Sequence, residues 1–167
     1  MELGPHNASL VVKTYREGVA AKAGHDLVIE VERWEATVDL EAGTVELSAD
    51  PRSLAIREGL RGVKPLSDRD RKEIRRNIDE KVLGGRPIAF RSSSAQVDGG
   101  RMVVDGNLTM AGTSRPLSAA LEVDAGRVNA TIPLRQSEWG IKPYRGLMGA
   151  LKVRDDVEIV IDAPLAG

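Results

Sequence analysis

Residues 101–135 alternate apolar and polar side chains with a period of two, and this alternation limits the fold more than any other feature of the chain. Met102, Val104, Gly106, Leu108 and Met110 share one face, with Asp105, Asn107 and Thr109 on the other. Leu117, Ala119, Leu121 and Val123 alternate with Ser118, Ala120 and Glu122, and Val128, Ala130, Ile132 and Leu134 with Asn129, Thr131 and Pro133. Val157, Ile159, Ile161 and Ala163 continue the pattern, as do Val45, Leu47 and Ala49, and residues 8–15 and 87–97 are strand-like. A strand places successive side chains on opposite faces, so such runs have one face in a core and one in water.

The connections are short. Glu41-Ala42-Gly43, Asp98-Gly99-Gly100 and Asp124-Ala125-Gly126 each carry a glycine suited to a tight hairpin, so neighbouring strands are antiparallel. Residues 27–40 behave differently. Leu27, Ile29 and Val31 share one parity, whereas Trp34, Ala36, Val38 and Leu40 share the other. A run that changes parity needs a bulge or sharp bend, here near Glu32-Arg33, of the kind that turns a long strand round the corner of a barrel. One helix interrupts the strands. Ser67 is its N-cap, Asp68 and Asp70 suit its positive end, Ile74, Ile78 and Val82 form a narrow apolar stripe, and Gly84-Gly85 ends it after Leu83. The rest of it is charged, which puts it on the surface. The expected fold is therefore all-β: one domain over residues 1–167, an antiparallel eight-stranded lipocalin-like β-barrel with one surface α-helix. A two-sheet sandwich is the alternative.

Composition excludes several classes of function. The 24 Lys and Arg and 25 Asp and Glu leave a net charge of −1, so no global field draws the chain to nucleic acid. Cysteine is absent, which removes disulfides, thiolate metal sites and cysteine nucleophiles. No apolar run approaches the length of a membrane-spanning helix. The Met1–His6 start lacks the basic-then-apolar form of an export signal, so a cytoplasmic protein without integral membrane contact is expected.

The candidate chemistry is sparse. The two histidines, His6 and His25, cannot supply the three or four ligands of a metal site by themselves, and no ligand-spaced motif accompanies them. His25 and Asp26 are adjacent, so on a strand they point to opposite faces and make a poor dyad. Ser92-Ser93-Ser94 lacks the glycine elbow of a hydrolase. No catalytic residue, metal ligand or cofactor is assigned. The basic residues between Arg57 and Arg76 are half offset by carboxylates and read as a solvated helix face, with a phosphate headgroup as the other reading. Trp34 and Trp139 are the two indoles, each either core or ligand contact.

The inner faces point to a cavity. Aromatic residues make up only 3 % of the chain, and Ala36, Ala49, Gly106, Ala119 and Ala130 stand among the larger apolar residues. A barrel of about eight strands either fills its interior with side chains or holds one small ligand. Both states stay open on these residues alone.

Four stretches carry a resemblance that covers most of the chain. Pro87-Ile88-Ala89-Phe90-Arg91-Ser92, Ser137-Glu138-Trp139-Gly140-Ile141 and Val153-Arg154-Asp155-Asp156-Val157-Glu158-Ile159 each resemble a segment of the YceI-like family. The hairpin from Gly106 to Pro116 is similar to that family's G-x-L-T-x-x-G-x-T-[KR]-P, with Ser114 where threonine is usual. The resemblance implies a lipocalin-like barrel with a long apolar tunnel for a polyisoprenoid tail, such as that of a quinone, and no enzyme activity. The tail is then expected along Trp34, Ala36, Val38, Val104, Leu108, Met110, Ala119, Leu121, Ala130 and Ile132, with His25 and Trp139 near the headgroup. The charged helix and Gly24-His25-Asp26-Leu27 mark a distinct subgroup, and a homodimer stays open. Two other functions compete: a small-molecule enzyme using His25 in the same cavity, and a packed, ligand-free interaction or stress-response protein whose helix is the contact surface.

Overall fold

The computed structural model describes residues 1–146 and 151–165. In chain order its elements are β1 (Glu2–Leu3), β2 (Ser9–Thr14), β3 (Arg16–Glu17), β4 (Asp26–Val31), β5 (Trp34–Asp39), β6 (Thr44–Ala49), β7 (Leu54–Leu60), α1 (Asp68–Asn77), β8 (Ile88–Asp98), β9 (Arg101–Met110), β10 (Thr113–Asp124), β11 (Arg127–Arg135), β12 (Arg145–Gly146), β13 (Leu151–Val153) and β14 (Asp156–Pro164). Eleven strands form one antiparallel sheet in the order β1-β5-β6-β8-β9-β10-β11-β14-β2-β4-β7, and β12-β13-β3 form a small second sheet.

The expected closed, eight-stranded barrel is corrected on both counts. The sheet has eleven strands, and its edge strands β1 and β7 do not pair with each other, so it is a curled, open half-barrel. Three strands account for the difference. The bent run 27–40 is two strands, separated at Glu32-Arg33, and the two edges are strands that the period-two pattern does not mark. β1 is only two residues long, and in β7 the alternation of Leu54 and Ile56 is broken by Arg57-Glu58-Gly59.

The corner at Glu32-Arg33 shapes the whole sheet. β4 and β5 are consecutive in the chain yet lie at opposite flanks of the sheet, as do β6 and β7. The two crossings are bonded to each other: Glu32 N–H donates to the Ser53 carbonyl (2.9 Å) and Asp50 N–H to the Arg33 carbonyl (3.0 Å). Asp50 caps the turn Pro51–Ser53 by accepting from Arg52 N–H (2.9 Å), while its other oxygen accepts from Arg33 Nε and Nη2 (3.1 and 3.0 Å). Ser53 is fully buried and donates to the Asp50 carbonyl (2.8 Å).

Helix α1 covers the open side. Ser67 and Asp70 form a reciprocal capping box, Ser67 Oγ accepting from Asp70 N–H (3.1 Å) and Asp70 Oδ2 from Ser67 N–H (2.9 Å). The helix continues through a π-turn, Ile78–Val82, and stops at Gly84-Gly85, both with positive φ. Arg71 Nη1 donates to the Ile56 and Arg57 carbonyls of β7 (3.1 and 2.9 Å), and Arg75 Nε to the Arg52 carbonyl (2.7 Å). Ile74, Ile78, Val82 and Leu83 face the concave side of the sheet and pack on its core, which includes Ile29, Val31, Leu54 and Leu108.

Two measurements test this account. Ala125 holds φ = 47° in the two-residue turn between β10 and β11, a left-handed conformation that costs an alanine about 1 kcal/mol. Ala125→Asn should therefore stabilise the fold by about 0.5–1 kcal/mol in urea unfolding, since asparagine tolerates that region; a lower midpoint would refute the turn geometry. At the corner, the Arg52 backbone N–H and the Arg33 and Arg52 guanidiniums hold the Asp50 carboxyl at about 2, below its ordinary 3.8. A lowered folded-state value stabilises fully above pH 3.8 and is lost as pH falls through about 2. Asp50→Asn should lose part of the acid sensitivity across that interval, read as a flatter midpoint-against-pH curve.

Candidate functional site

The curled sheet encloses a cavity of about 980 Å³ between its concave face and α1. Its wall is built strand by strand from the inward parity: Leu10 and Val12 of β2, Leu27 and Ile29 of β4, Trp34, Ala36 and Val38 of β5, Leu47 of β6, Phe90 of β8, Val104 and Leu108 of β9, Ile159 and Ile161 of β14. The helix stripe Ile74, Ile78 and Val82 supplies the remaining side. The wall is overwhelmingly apolar, and its charged groups gather at one end.

That end is a mouth rimmed by Arg16, His25, Lys64, Asp70, Glu73, Tyr144 and Lys152. A carbonyl only accepts, so His25 Nε2 donates to the Lys64 carbonyl (2.5 Å) and pins the loop after β7 to the start of β4. Gly62 makes the clamp possible, because a Cβ there would stand 1.9 Å from His25 Nε2. Asp26 is buried, 6 % exposed; its carboxylate accepts from Arg16 N–H (2.9 Å) and pairs with Arg61 (3.4 Å). Arg16 Nη1 in turn donates to the Gly24 carbonyl (3.1 Å) and to that of Arg61. Beside it the Tyr15 hydroxyl donates to Glu158, which raises the phenol above its ordinary value, with partial desolvation and the Glu158 and Asp26 charges adding to the rise. The two Ser67 contacts lower Asp70, with His25 a minor contributor. His25 and Asp26 thus serve separate backbone partners and form no dyad. Among the described residues no three His, Asp or Glu converge as metal ligands.

Ten of the twelve residues expected at the ligand are on the wall: His25, Trp34, Ala36, Val38, Val104, Leu108, Met110, Ala119, Leu121 and Ile132. Ala130 and Trp139 are not. Ala130 pairs with Ile161 across β11–β14 and packs on a side cluster with Val128 and Leu121. Trp139 is 2 % exposed, and its Nε1 donates to the Leu108 carbonyl (2.8 Å), so the indole finds its partner in the sheet backbone. Gly106 makes no room for a ligand either. A Cβ there would sit 2.4 Å from the Arg91 carbonyl and 2.6 Å from Phe90 Cζ, so the Phe90 ring and β8 fill that space. The polar rim was not read from the sequence, because Arg16, Lys64, Tyr144 and Lys152 meet only through long-range folding. Ile74, Ile78 and Val82 were legible as a stripe, and their docking surface proves to be the cavity.

These features define a class: a β-protein with an elongated apolar cavity and a polar mouth. The chain belongs to the YceI-like family, whose YceI-like domain matches residues 11–165. That family consists of binding proteins for polyisoprenoids and related lipids. In structure the chain is similar to Burkholderia cenocepacia BcnA, with a TM-score of 0.65 and 14 % identity over 93 % of this chain and 94 % of that one. It is also similar to the Campylobacter jejuni YceI protein, with a TM-score of 0.57 and 12 % identity over 82 % and 84 % of the two chains. No curated protein matches it by sequence. Among the described residues, no helix is long and apolar enough to cross a membrane.

Trp139→Phe separates structure from ligand contact. It removes the buried indole's hydrogen bond to the Leu108 carbonyl and part of the ring's packing, so stability should fall by about 1–3 kcal/mol while apolar-ligand affinity stays unchanged. A large affinity loss with intact stability would return Trp139 to the ligand site.

Proposed function

We propose that this chain binds one long apolar lipid, a polyisoprenoid or isoprenoid quinone, inside the cavity, for carriage, storage or sensing. The observation that carries the reading is the apolar wall of a 980 Å³ cavity whose charged groups stand only at the mouth. At roughly 30 Å³ per methylene-sized group, that volume accommodates about thirty chain carbons, or about six isoprene units. Each buried CH₂ contributes about 0.8 kcal/mol, so a tail of even half that length supplies about 12 kcal/mol gross, against association costs of about 4–15 kcal/mol. A tail that fills the cavity supplies about 24 kcal/mol gross, which exceeds that cost without directional polar contacts. The headgroup is placed at the mouth near His25, Lys64 and Tyr144. Binding without turnover is favoured because His25 and Asp26 are already committed to the Lys64 carbonyl and to Arg16 and Arg61.

Native mass spectrometry of gently purified protein, before and after incubation with ubiquinone-6, whose tail matches that length, tests the proposal. A one-to-one adduct is expected. Ala119 lies on the cavity wall and Ala120 on the outer face of the same strand. Ala119→Trp should cut uptake by about tenfold or more through lost volume, whereas Ala120→Trp should leave it intact. Equal uptake by both folded variants would sink the tail path, and a clean apo mass throughout would sink the lipid assignment.

A further inference from the structure

We infer that the rim of the cavity mouth docks on an anionic lipid bilayer, setting the open end of the cavity against the membrane surface. The inference rests on the reading of the cavity as a lipid site. Four segments make the rim: residues 16–24, 60–66, 142–146 and 152–154, each contributing to the cavity wall at that end. They are tied together by the pairing of β13 with β3 and β12, and by the His25–Lys64 and Arg16–Arg61 contacts.

Two independent features of these segments fit a bilayer. The first is apolar side chains standing in water at the tips of turns: Val19 is 97 % exposed and Val63 75 %, with Leu60 at 45 % and Tyr144 at 40 %. Val19 and Val63 contribute almost nothing to the core. The second is charge. These segments hold eight of the chain's 24 lysines and arginines and only one of its 25 carboxylates, Glu17, although the whole chain is close to neutral. Of the acidic groups on neighbouring elements, Asp26 is buried against Arg16 and Arg61, Asp70 is held by Ser67, Asp155 by Ser137 and Asp156 by Arg135. Asp68 and Glu73 of α1 and Glu58 of β7 are the remaining ones on those two elements, and Glu158 of β14 accepts from Tyr15. Apolar tips surrounded by cations are the chemistry of interfacial membrane binding, where valines enter the headgroup boundary and Lys and Arg meet anionic lipid. A folded protein partner would need a continuous complementary patch. Here the apolar tips sit on separate loops, an arrangement that a fluid surface accommodates and a rigid one does not. Docking at this rim would let an apolar tail pass between bilayer and cavity without crossing water.

Flotation with phosphatidylcholine vesicles, with and without phosphatidylglycerol, tests the inference on the full chain. Binding is expected only with phosphatidylglycerol present, and it should weaken at high salt. Val19→Ser/Val63→Ser should lower partitioning by about tenfold. Val97→Ser/Val103→Ser is the control; these half-exposed valines lie near the β8–β9 turn, at the opposite end of the strands, and should leave partitioning unchanged. Absence of binding, or equal binding by the two double variants, overturns the docking. So does a vesicle-free dimer that Val19→Ser/Val63→Ser dissociates, since the tips would then bury against a second copy. Uptake of ubiquinone-6 from detergent, measured in parallel, separates the two readings: uptake without vesicle binding rejects docking alone, and vesicle binding without uptake rejects the lipid cavity alone.

Discussion

The corner where residues 32–33 cross residues 50–53 governs the rest of the molecule. Four segments that follow one another in the chain could have formed a simple meander. Instead, paired backbone bonds at the corner, with Asp50 holding Arg33 and the Arg52 amide, send β4 and β7 to one flank and β5 and β6 to the other. Six strands, β8 to β11, β14 and β2, must then span the distance between the flanks, and a right-twisting sheet forced to do so curls. The concave face that results is the apolar parity of every strand at once, so the cavity is a geometric consequence of the corner.

The cavity's emptiness of polar groups has its own cause. Period-two alternation assigns each strand residue to one face, and the inner face of this sheet is almost wholly Val, Ile, Leu and Ala. Charge enters only where strands end and the backbone turns, which is why Arg16, His25 and Lys64 stand together at the mouth. The arrangement divides recognition in two. The wall contributes free energy in proportion to buried tail area and discriminates by length and girth. The mouth discriminates by headgroup.

Much of this was legible in local pattern. The hairpins of β8 to β11, the helix from its Ser67 cap to its glycine stop, and a break at Glu32-Arg33 all follow from periodicity and turn chemistry. What local pattern could not convey was partnership. A change of parity signals a bend, but not that the two halves separate to opposite flanks. β7 carries Arg57-Glu58-Gly59 across the middle of the strand and is a strand only because β4 pairs with it, through a register shift at Val28/Ile29. Trp139 needs a partner for its indole N–H, and nothing in the sequence tells a ligand from the Leu108 carbonyl. Gly106 looks like space in the sequence, and the Phe90 ring fills it in the fold. Among the expected ligand residues, those placed by strand parity reached the cavity wall except Ala130, whereas of the two chosen for their chemistry only His25 did so.

A sheet that does not close has two rows of unpaired backbone groups to protect from other chains. One edge is guarded by brevity, since β1 offers only two residues. The other is longer and is guarded by α1, whose Arg71 occupies the Ile56 and Arg57 carbonyls that a foreign strand would seek. The helix therefore shields the monomer against aggregation as well as walling the cavity. Damage to its Ser67 cap or its arginines would show first as self-association through β7, before any strand of the sheet had come apart.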